Sequence, residues 1–413
     1  MHFLGLSETD QSHNAVWIAS ELKAKIDMLR KDHNIVVTCC CQDGASSNIK
    51  AIKLLNGETE DYNDLTAEDV LKTQLTEGKV VMSRCTAHVM NLILKDYIKQ
   101  FSCKKWIDDI AKLNGVQISV CETRWTSFNN AIEKIQKFIP NNTTNDDIYL
   151  QKIHQDMEII RLVTLATVEL EGNYVNVIQV ETTVNKLKQE LKNMQAKFGL
   201  TQRIYQARQF LRKRETDYID THLNIVRFLN ALDPAGEVQF NELNNLSKIV
   251  GKLFYSNYLE MKSYEIFTQR SQLFERAQQF DIQLKGKFSD YINYLLNVWV
   301  DNEQIITFLQ KVEVMSVTSC GIERVFSFFH RTTSHFLRKQ ITPKTLNAMS
   351  YIYVDKIQPE IQQWKMNKSL IQIFDFDQIS HSKSIWIFMN VQKQNLQENS
   401  EINDADAEDN EEF

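Results

Sequence analysis

The chain has 413 residues, of which 43% are hydrophobic and 24% are charged, and it contains only 11 glycines and 4 prolines. This composition is typical of a folded protein with a large core, and the scarcity of helix-breaking residues predicts a helix-rich fold. The formal net charge is −6, but residues 398–413 carry eight acids and no base. We therefore expect a disordered acidic tail after a nearly neutral folded part, a balance that permits a local DNA-binding patch without requiring one.

The cysteines and the apolar runs indicate where the protein resides. Seven cysteines are an odd number, and three of them are adjacent at Cys39–Cys41, which is a poor disulfide framework and predicts a reducing interior compartment. No run of eighteen apolar residues occurs, and residues 1–10 lack the pattern of a signal peptide. We expect a soluble intracellular protein with no membrane partner.

The first part of the chain alternates between helical and strand patterns. Apolar periodicity predicts helices, and compact β-branched runs predict short buried strands. In chain order, the predictions are a helix over 13–32, a strand over 35–41, a helix over 48–55, a strand over 79–82 and a helix over 85–101. This alternation predicts an α/β layer with helices packed on a small sheet.

From residue 129 to about residue 309 the pattern is almost wholly helical. Polar residues 141–147 predict one break, and Leu232-Asp233-Pro234 followed by Gly236 predicts another. Thr342 and Pro343 then have the form of an N-cap and a first-turn proline, which predicts a helix running to about Tyr353. The fold class predicted is thus α/β with a large all-α insertion.

Asp43 follows the first predicted strand directly and precedes Gly44. By itself the Asp-Gly pair is most simply a turn. Three later motifs give this aspartate more weight. They are Cys85-x-x-His88 with Asn91-Leu92 and Asp96, then Thr123-Arg124-Trp125-x-Ser127, and finally Glu323-Arg324-x-Phe326-Ser327 followed by Arg338, Ile341 and Pro343.

In this order and spacing, the motifs resemble those of hAT-superfamily DNA transposases, over roughly residues 3–354. The resemblance implies a ribonuclease-H-like core interrupted by a helical domain. It implies a first part of the core over 1–128, a helical insertion over 129–310, a core helix with the hAT dimerisation region over 311–358, and an extension with the acidic tail over 359–413. A nuclear location is also implied.

The resemblance implies a metal site at Asp43 and Glu323, which match the second aspartate and the glutamate of the family's catalytic set. Such carboxylates hold Mg²⁺ or Mn²⁺ for attack on a phosphodiester bond. The residue pattern agrees, because Ile322, Val325 and Phe326 share one helix face while Glu323 lies on another. A glutamate on an exposed helix face is the competing interpretation.

The resemblance also implies a DNA-binding neighbourhood formed by Cys85, His88, Arg124 and Trp125. Trp125 is interpreted either as a stacking platform for an unpaired base or as a core residue. Cys85 and His88 have a spacing found in zinc sites, but no second ligand pair is evident, so we do not expect zinc. The Cys39–Cys41 run is equally explained by small apolar residues in a buried strand.

The segment from about 315 to 354 is predicted to carry the self-association surface. Its two amphipathic helices hold more apolar side chains than one small strand needs to cover, which is typical of an interface, although an internal core is the competing interpretation. The dimerisation residues predicted are Val325, Phe326, Phe328, Phe329, Arg338, Leu346 and Met349.

The sequence also departs from the family. An Asp-x-Trp element, which provides the first catalytic aspartate, is not found before Asp43, and Ile322 replaces a serine. We therefore expect a transposase-derived protein that is catalytically incomplete and acts by homodimerisation, with DNA as a candidate partner. An active or once-active transposase represented by a fragment is the alternative, and a purely structural helical scaffold is a weaker third.

Overall fold

The computed structural model describes residues 14–58, 65–118, 120, 127–139, 148–172, 175–280, 288–320 and 388–393. Helices dominate these residues. The helices of the first part are α1 Ala15–His33, α2 Ser46–Leu55, α3 Ala67–Thr73, α4 Thr86–Gln100 and α5 Cys103–Leu113. Those of the second part are α6 Ser127–Ile135, α7 Ile148–Leu170, α8 Val177–Phe198, α9 Gln202–Arg214, α10 Asp220–Leu232, α11 Phe240–Leu253, α12 Asn257–Met261, α13 Ser263–Gln272, α14 Phe274–Gln278, α15 Phe288–Val298 and α16 Glu303–Glu313.

A three-stranded sheet consists of β1 Ile35–Gln42, β2 Val81–Arg84 and β3 Phe388–Lys393, in the order β2-β1-β3. Strand β1 is parallel to β2 and antiparallel to β3. The predicted first strand is confirmed. The second was predicted two residues too early, because the pairing of Cys39 with Val81 and of Gln42 with Arg84 fixes β2 at 81–84.

Both faces of β1 are covered by helices, which explains why its residues are apolar without alternation. Cys39 and Cys41 belong to the large hydrophobic cluster that contains α4 and the helices after it. Val37 and Cys40 belong to a second cluster with α1 and α2. A register shift between Val37 and Cys39 breaks the two-residue period, so that Val37 lies on the same face as Cys40.

The helical part shares one continuous hydrophobic cluster with the inner face of the sheet. Helix α4 packs on α7 and α9, and α7 packs on α8. The predicted break near Asp233 is confirmed: α10 ends there, and the Asp233 carboxylate accepts a hydrogen bond of 3.0 Å from the Ala235 N–H. A π-helix, Glu215–Ile219, joins α9 to α10.

The structure therefore shows a mostly helical protein in which a large all-α part packs on a small sheet. Among the residues described, no helix is long and apolar enough to span a bilayer. The predicted break at 141–147, the motif at Arg124 and Trp125, Glu323 and all the predicted dimerisation residues lie outside the described residues.

Candidate functional site

Asp43 lies at the carboxyl end of β1 in a turn that its own side chain stabilises. Its Oδ1 accepts hydrogen bonds from the Ala45 N–H at 3.0 Å and from Asn48 Nδ2 at 2.9 Å. Gly44 has a φ of +87°, a conformation that an L side chain rarely adopts. The turn interpretation is thus correct, and it leaves Asp43 Oδ2 without a partner among the described residues.

An open cleft of about 240 Å³ lies beside this turn. It is formed where β1 and β2 end, by the first turns of α4 and by the π-helix. Its lining residues are Asp43, Gly44, Ala45, Arg84, His88, Val89, Leu92 and Tyr218. Because β1 and β2 are parallel, their last residues meet at the same edge of the sheet, and this brings Arg84 next to the Asp43 turn.

Arg84 is half-buried, and its guanidinium carbon lies 4.2 Å from the centroid of the Tyr218 ring. Burial lowers the pKa of Arg84, and the nearby Tyr218 and Asp217 partly offset this. The side chain still remains a cation at neutral pH. Within the described part of the chain, no carboxylate pairs with it at ion-pair distance. A cationic group of this kind in a cleft is suited to an anionic ligand.

Arg214 lies near the same tyrosine, with its guanidinium carbon 5.6 Å from the ring centroid. Its Nη2 is 2.6 Å from Asp96 Oδ2, an ion pair that joins α9 to α4. Asp96 is the aspartate of the Cys-x-x-His motif, so here it anchors the helical part to the core. Arg84, Arg214 and Tyr218 belong to no motif that predicts them as site residues.

His88, which was predicted from its motif, does line the cleft. Burial lowers the pKa of its imidazole, and this outweighs the opposing influence of Cys85 and Asp43. The ring is therefore neutral at neutral pH and is able to both donate and accept a hydrogen bond.

Cys85 precedes α4 and is 1% exposed, and its thiol faces residues 318–320. Its Sγ accepts a hydrogen bond of 3.4 Å from the Ser319 N–H and lies 3.9 Å from Cys320 Sγ. Burial alone would raise the pKa of Cys85, but hydrogen bonds from Cys320, Ser319 and the His88 N–H lower it to about 5. Cys85 therefore contributes to the site by holding the 315–320 segment in place.

The same segment is bound to the first residue of α4. The Val317 carbonyl accepts hydrogen bonds from the Thr86 N–H at 3.0 Å and from Thr86 Oγ1 at 2.9 Å. The Cys85 N–H in turn donates to the Gln42 carbonyl at 2.7 Å, next to Asp43. Glu323 follows Cys320 by three residues and lies outside the described residues, so its distance from Asp43 stays a prediction.

Among the described residues that line the cleft, Asp43 is the one carboxylate, and its Oδ2 is an oxygen ligand suited to a divalent cation. The described residues contain no group of three or more His, Cys, Asp or Glu side chains arranged to hold a metal ion. The three adjacent cysteines are buried in β1 as free thiols, as one of the two interpretations of the run predicted.

No protein-family model matches the chain, and no curated protein sequence matches it.

Proposed function

We propose that this protein is a DNA-binding protein of the hAT-transposase type, which binds a phosphodiester group in the cleft beside Asp43 and acts as a homodimer. The observation that carries the proposal is the half-buried Arg84 guanidinium in the cleft at the carboxyl end of β1. Ligands of α/β proteins characteristically bind at this end of parallel strands.

The cleft offers three groups that are suited to a nucleic-acid backbone. Arg84 presents N–H donors to phosphate oxygens, the neutral His88 ring offers one further donor, and Tyr218 offers a hydroxyl. The ring of Tyr218 also restrains Arg84 through their cation–π contact, which reduces the entropy that the guanidinium loses on binding.

A ribonuclease-H-like core is the finer form of the fold that we propose. Three observations support it: the parallel pairing of β1 with β2, an aspartate at the carboxyl end of β1, and a long helical part between β2 and the 315–320 segment. The hydrogen bonds from Thr86 to Val317 bring that segment back to the same edge of the sheet.

Fluorescence anisotropy with labelled duplex and single-stranded oligonucleotides tests DNA binding. Replacing Arg84→Gln should weaken binding about 10-fold, because a hydrogen bond to a charged group contributes roughly 1.5 kcal/mol or more. The slope of the logarithm of the binding constant against the logarithm of the salt concentration should also become shallower by about one, as expected for the loss of one phosphate contact.

Arg227→Gln is the matched control, since it removes the same charge from an exposed position on α10. Its affinity for DNA should stay close to that of the unsubstituted protein. Equal affinities of the Arg84 and Arg227 variants would reject the cleft as the binding site. An absence of DNA binding at low salt would reject the function.

Metal-dependent DNA cleavage is the second candidate, favoured by the open oxygen of Asp43. When bound, Mg²⁺ or Mn²⁺ would activate a hydroxyl nucleophile and stabilise the leaving oxygen. Asp43 would provide one ligand and, by resemblance, Glu323 another. We expect no nicking or joining of transposon-end DNA with Mn²⁺, and robust cleavage that Glu323→Gln removes would establish the enzyme instead.

Self-association through the segment from about 315 to 354 is proposed from the apolar pattern of its two predicted helices. Sedimentation equilibrium should show a dimer at about ten micromolar, with burial of the apolar stripes as the driving force. Phe328→Asp should give a folded monomer, checked by circular dichroism. A monomeric unsubstituted protein would contradict the proposal, and an unfolded Phe328 variant would assign the residue to the core. A nuclear location is proposed with the DNA partner and is tested by imaging a fluorescent fusion.

A further inference from the structure

Two cysteines that are far apart in the sequence meet behind the cleft. Cys85 precedes α4, and Cys320 follows α16 by seven residues, yet their sulfur atoms are 3.9 Å apart. Both side chains are buried, at 1% and 2% exposure. The contact thus lies where the end of the helical part returns to the sheet.

Hydrogen bonds of the residues next to each cysteine hold the two thiols close to each other. The Thr86 N–H and hydroxyl both donate to the Val317 carbonyl, and the Ser319 N–H donates to Cys85 Sγ. The Thr318 hydroxyl donates to Cys320 Sγ at 2.8 Å. These bonds fix the backbone immediately next to each cysteine.

We propose that Cys85 and Cys320 are a thiol–disulfide pair, which peroxide oxidises to a disulfide that ties the start of α4 to the 315–320 segment. The site does not depend on DNA binding. A disulfide requires an S–S distance of about 2.05 Å, so the sulfur atoms must approach by roughly 1.9 Å. Residues 315–319, which precede Cys320, belong to no helix or strand, so a shift of this segment breaks no regular element.

Cys85 is the thiol that reacts first. It lies at the N-terminus of α4, where the helix dipole and the N–H groups of Ser319 and His88 stabilise a thiolate. For two thiols of β1 burial is the dominant effect: it raises the pKa of Cys39 to about 12 and the pKa of Cys41 well above its ordinary value. Those thiols therefore stay protonated.

The reaction is balanced with hydrogen peroxide as the oxidant. The Cys85 thiolate attacks one peroxide oxygen, the O–O bond breaks, and a sulfenic acid and hydroxide form. The Cys320 sulfur then attacks the Cys85 sulfur, the S–O bond breaks, and the hydroxyl leaves as water with the Cys320 proton. Each sulfur loses one electron overall, and the peroxide gains two. Because both thiols are buried, access for the peroxide requires local opening of the 315–319 segment.

Peptide mapping of the full chain tests this pair. Reduced protein is treated with peroxide, its remaining thiols are alkylated after unfolding, and it is digested without reductant. We expect one dominant cross-linked peptide pair that contains Cys85 and Cys320, with a mass lower by two hydrogen atoms and lost on adding dithiothreitol.

Two variants separate the pair from general oxidation. Cys320→Ala should leave a sulfenic acid on Cys85 that a cyclic dione traps, whereas Cys103→Ala, which removes another buried thiol, should keep the cross-link. The unsubstituted chain decides the question even if a variant does not fold. Alkylation of both Cys85 and Cys320 after peroxide treatment would overturn the proposal, and so would a dominant disulfide between Cys85 and Cys41.

Discussion

At the scale of single residues, Asp156 shows how this protein keeps a charge in its interior. Its side chain is fully buried on α7, and its Oδ1 accepts hydrogen bonds of 2.7 Å from both the Tyr97 hydroxyl and Arg203 Nε. Burial raises the pKa of Asp156, and the two donors work against that increase. The carboxylate therefore joins α4, α7 and α9.

Removing this carboxylate should cost a large part of the stability. We expect Asp156→Ala to lower the free energy of unfolding by about 3 kcal/mol, because Arg203 and the Tyr97 hydroxyl would lose their buried partner. Urea denaturation followed by circular dichroism measures the change.

Glu158→Ala is the control on the same helix, where the carboxylate pairs with Arg161 on the exposed surface. Exposed pairs contribute about 0–1 kcal/mol, so that change should be small. Equal losses of unfolding free energy in the two variants would show that the hydrogen bonds of Asp156 stabilise the protein no more than an exposed ion pair does.

Asp43 has a neighbour in the structure that the sequence around it does not indicate. Its hydrogen bond from the Ala45 N–H is typical of an aspartate turn, and the bond from Asn48 Nδ2 comes from the first turn of α2. What distinguishes it is the neighbouring Arg84, which comes from a strand some forty residues later. Local sequence around Asp43 carries no sign of that neighbour.

At the scale of secondary-structure elements, α11 and α12 pack closely at Gly251. A Cβ atom at this position would lie 2.6 Å from the Glu260 backbone N and 2.9 Å from its Cα. Those atoms are backbone, so a side-chain rotation cannot relieve the overlap. The glycine is therefore required by the approach of two helices and not by its own conformation.

Two effects compete when Gly251 is replaced by alanine. Helix propensity favours alanine by about 1 kcal/mol, whereas overpacking costs about 1–3 kcal/mol and here displaces backbone. We expect Gly251→Ala to be destabilising by roughly 1–2 kcal/mol in thermal or urea unfolding.

Gly236→Ala provides the comparison, because a Cβ atom there would make only ordinary contacts at 3.5 Å or more. Its stability should change by less than about 0.5 kcal/mol. A Gly251 variant more stable than the unsubstituted protein would show that α11 and α12 separate at little cost.

At the scale of the whole molecule, His222 links the helical part to the sheet. It lies on α10, is 1% exposed, and its Nε2 is 3.1 Å from Ser83 Oγ on β2. Burial lowers the pKa of His222 from 6.5 to about 4. The folded protein therefore holds this ring neutral at a pH where the unfolded chain would protonate it.

The sign of the pH effect follows from that difference. Because the folded pKa is the lower one, the stabilisation is complete above about pH 6.5 and is lost progressively as the pH falls towards 4. Between about pH 7 and about pH 5, we expect His222 to account for a loss of roughly 2 kcal/mol in the free energy of unfolding.

His222→Gln should reduce this pH dependence, since glutamine does not titrate and keeps a polar group near Ser83. His33→Gln, at an exposed position at the end of α1, should leave it unchanged. Urea unfolding at the two pH values measures both. An undiminished pH dependence in the His222 variant would assign the acid sensitivity to other groups.

The sequence by itself determined the local structure of this protein. Apolar periodicity identified α1, α2, α4 and the helical middle, and the run at 35–41 identified the buried strand, because burial on one face or two leaves a pattern in neighbouring residues. The prediction of β2 was two residues early, since four residues carry too little pattern to fix an end that pairing decides.

Only the tertiary structure decided which distant groups meet. The placement of Arg84 beside Asp43 follows from parallel pairing, and that of Tyr218 follows from a π-helix on the helical part. The contact of Cys85 with Cys320 likewise requires the chain to return to the sheet after α16. Such contacts join residues many tens of positions apart, and their geometry depends on how whole elements pack, which no local pattern of residues encodes.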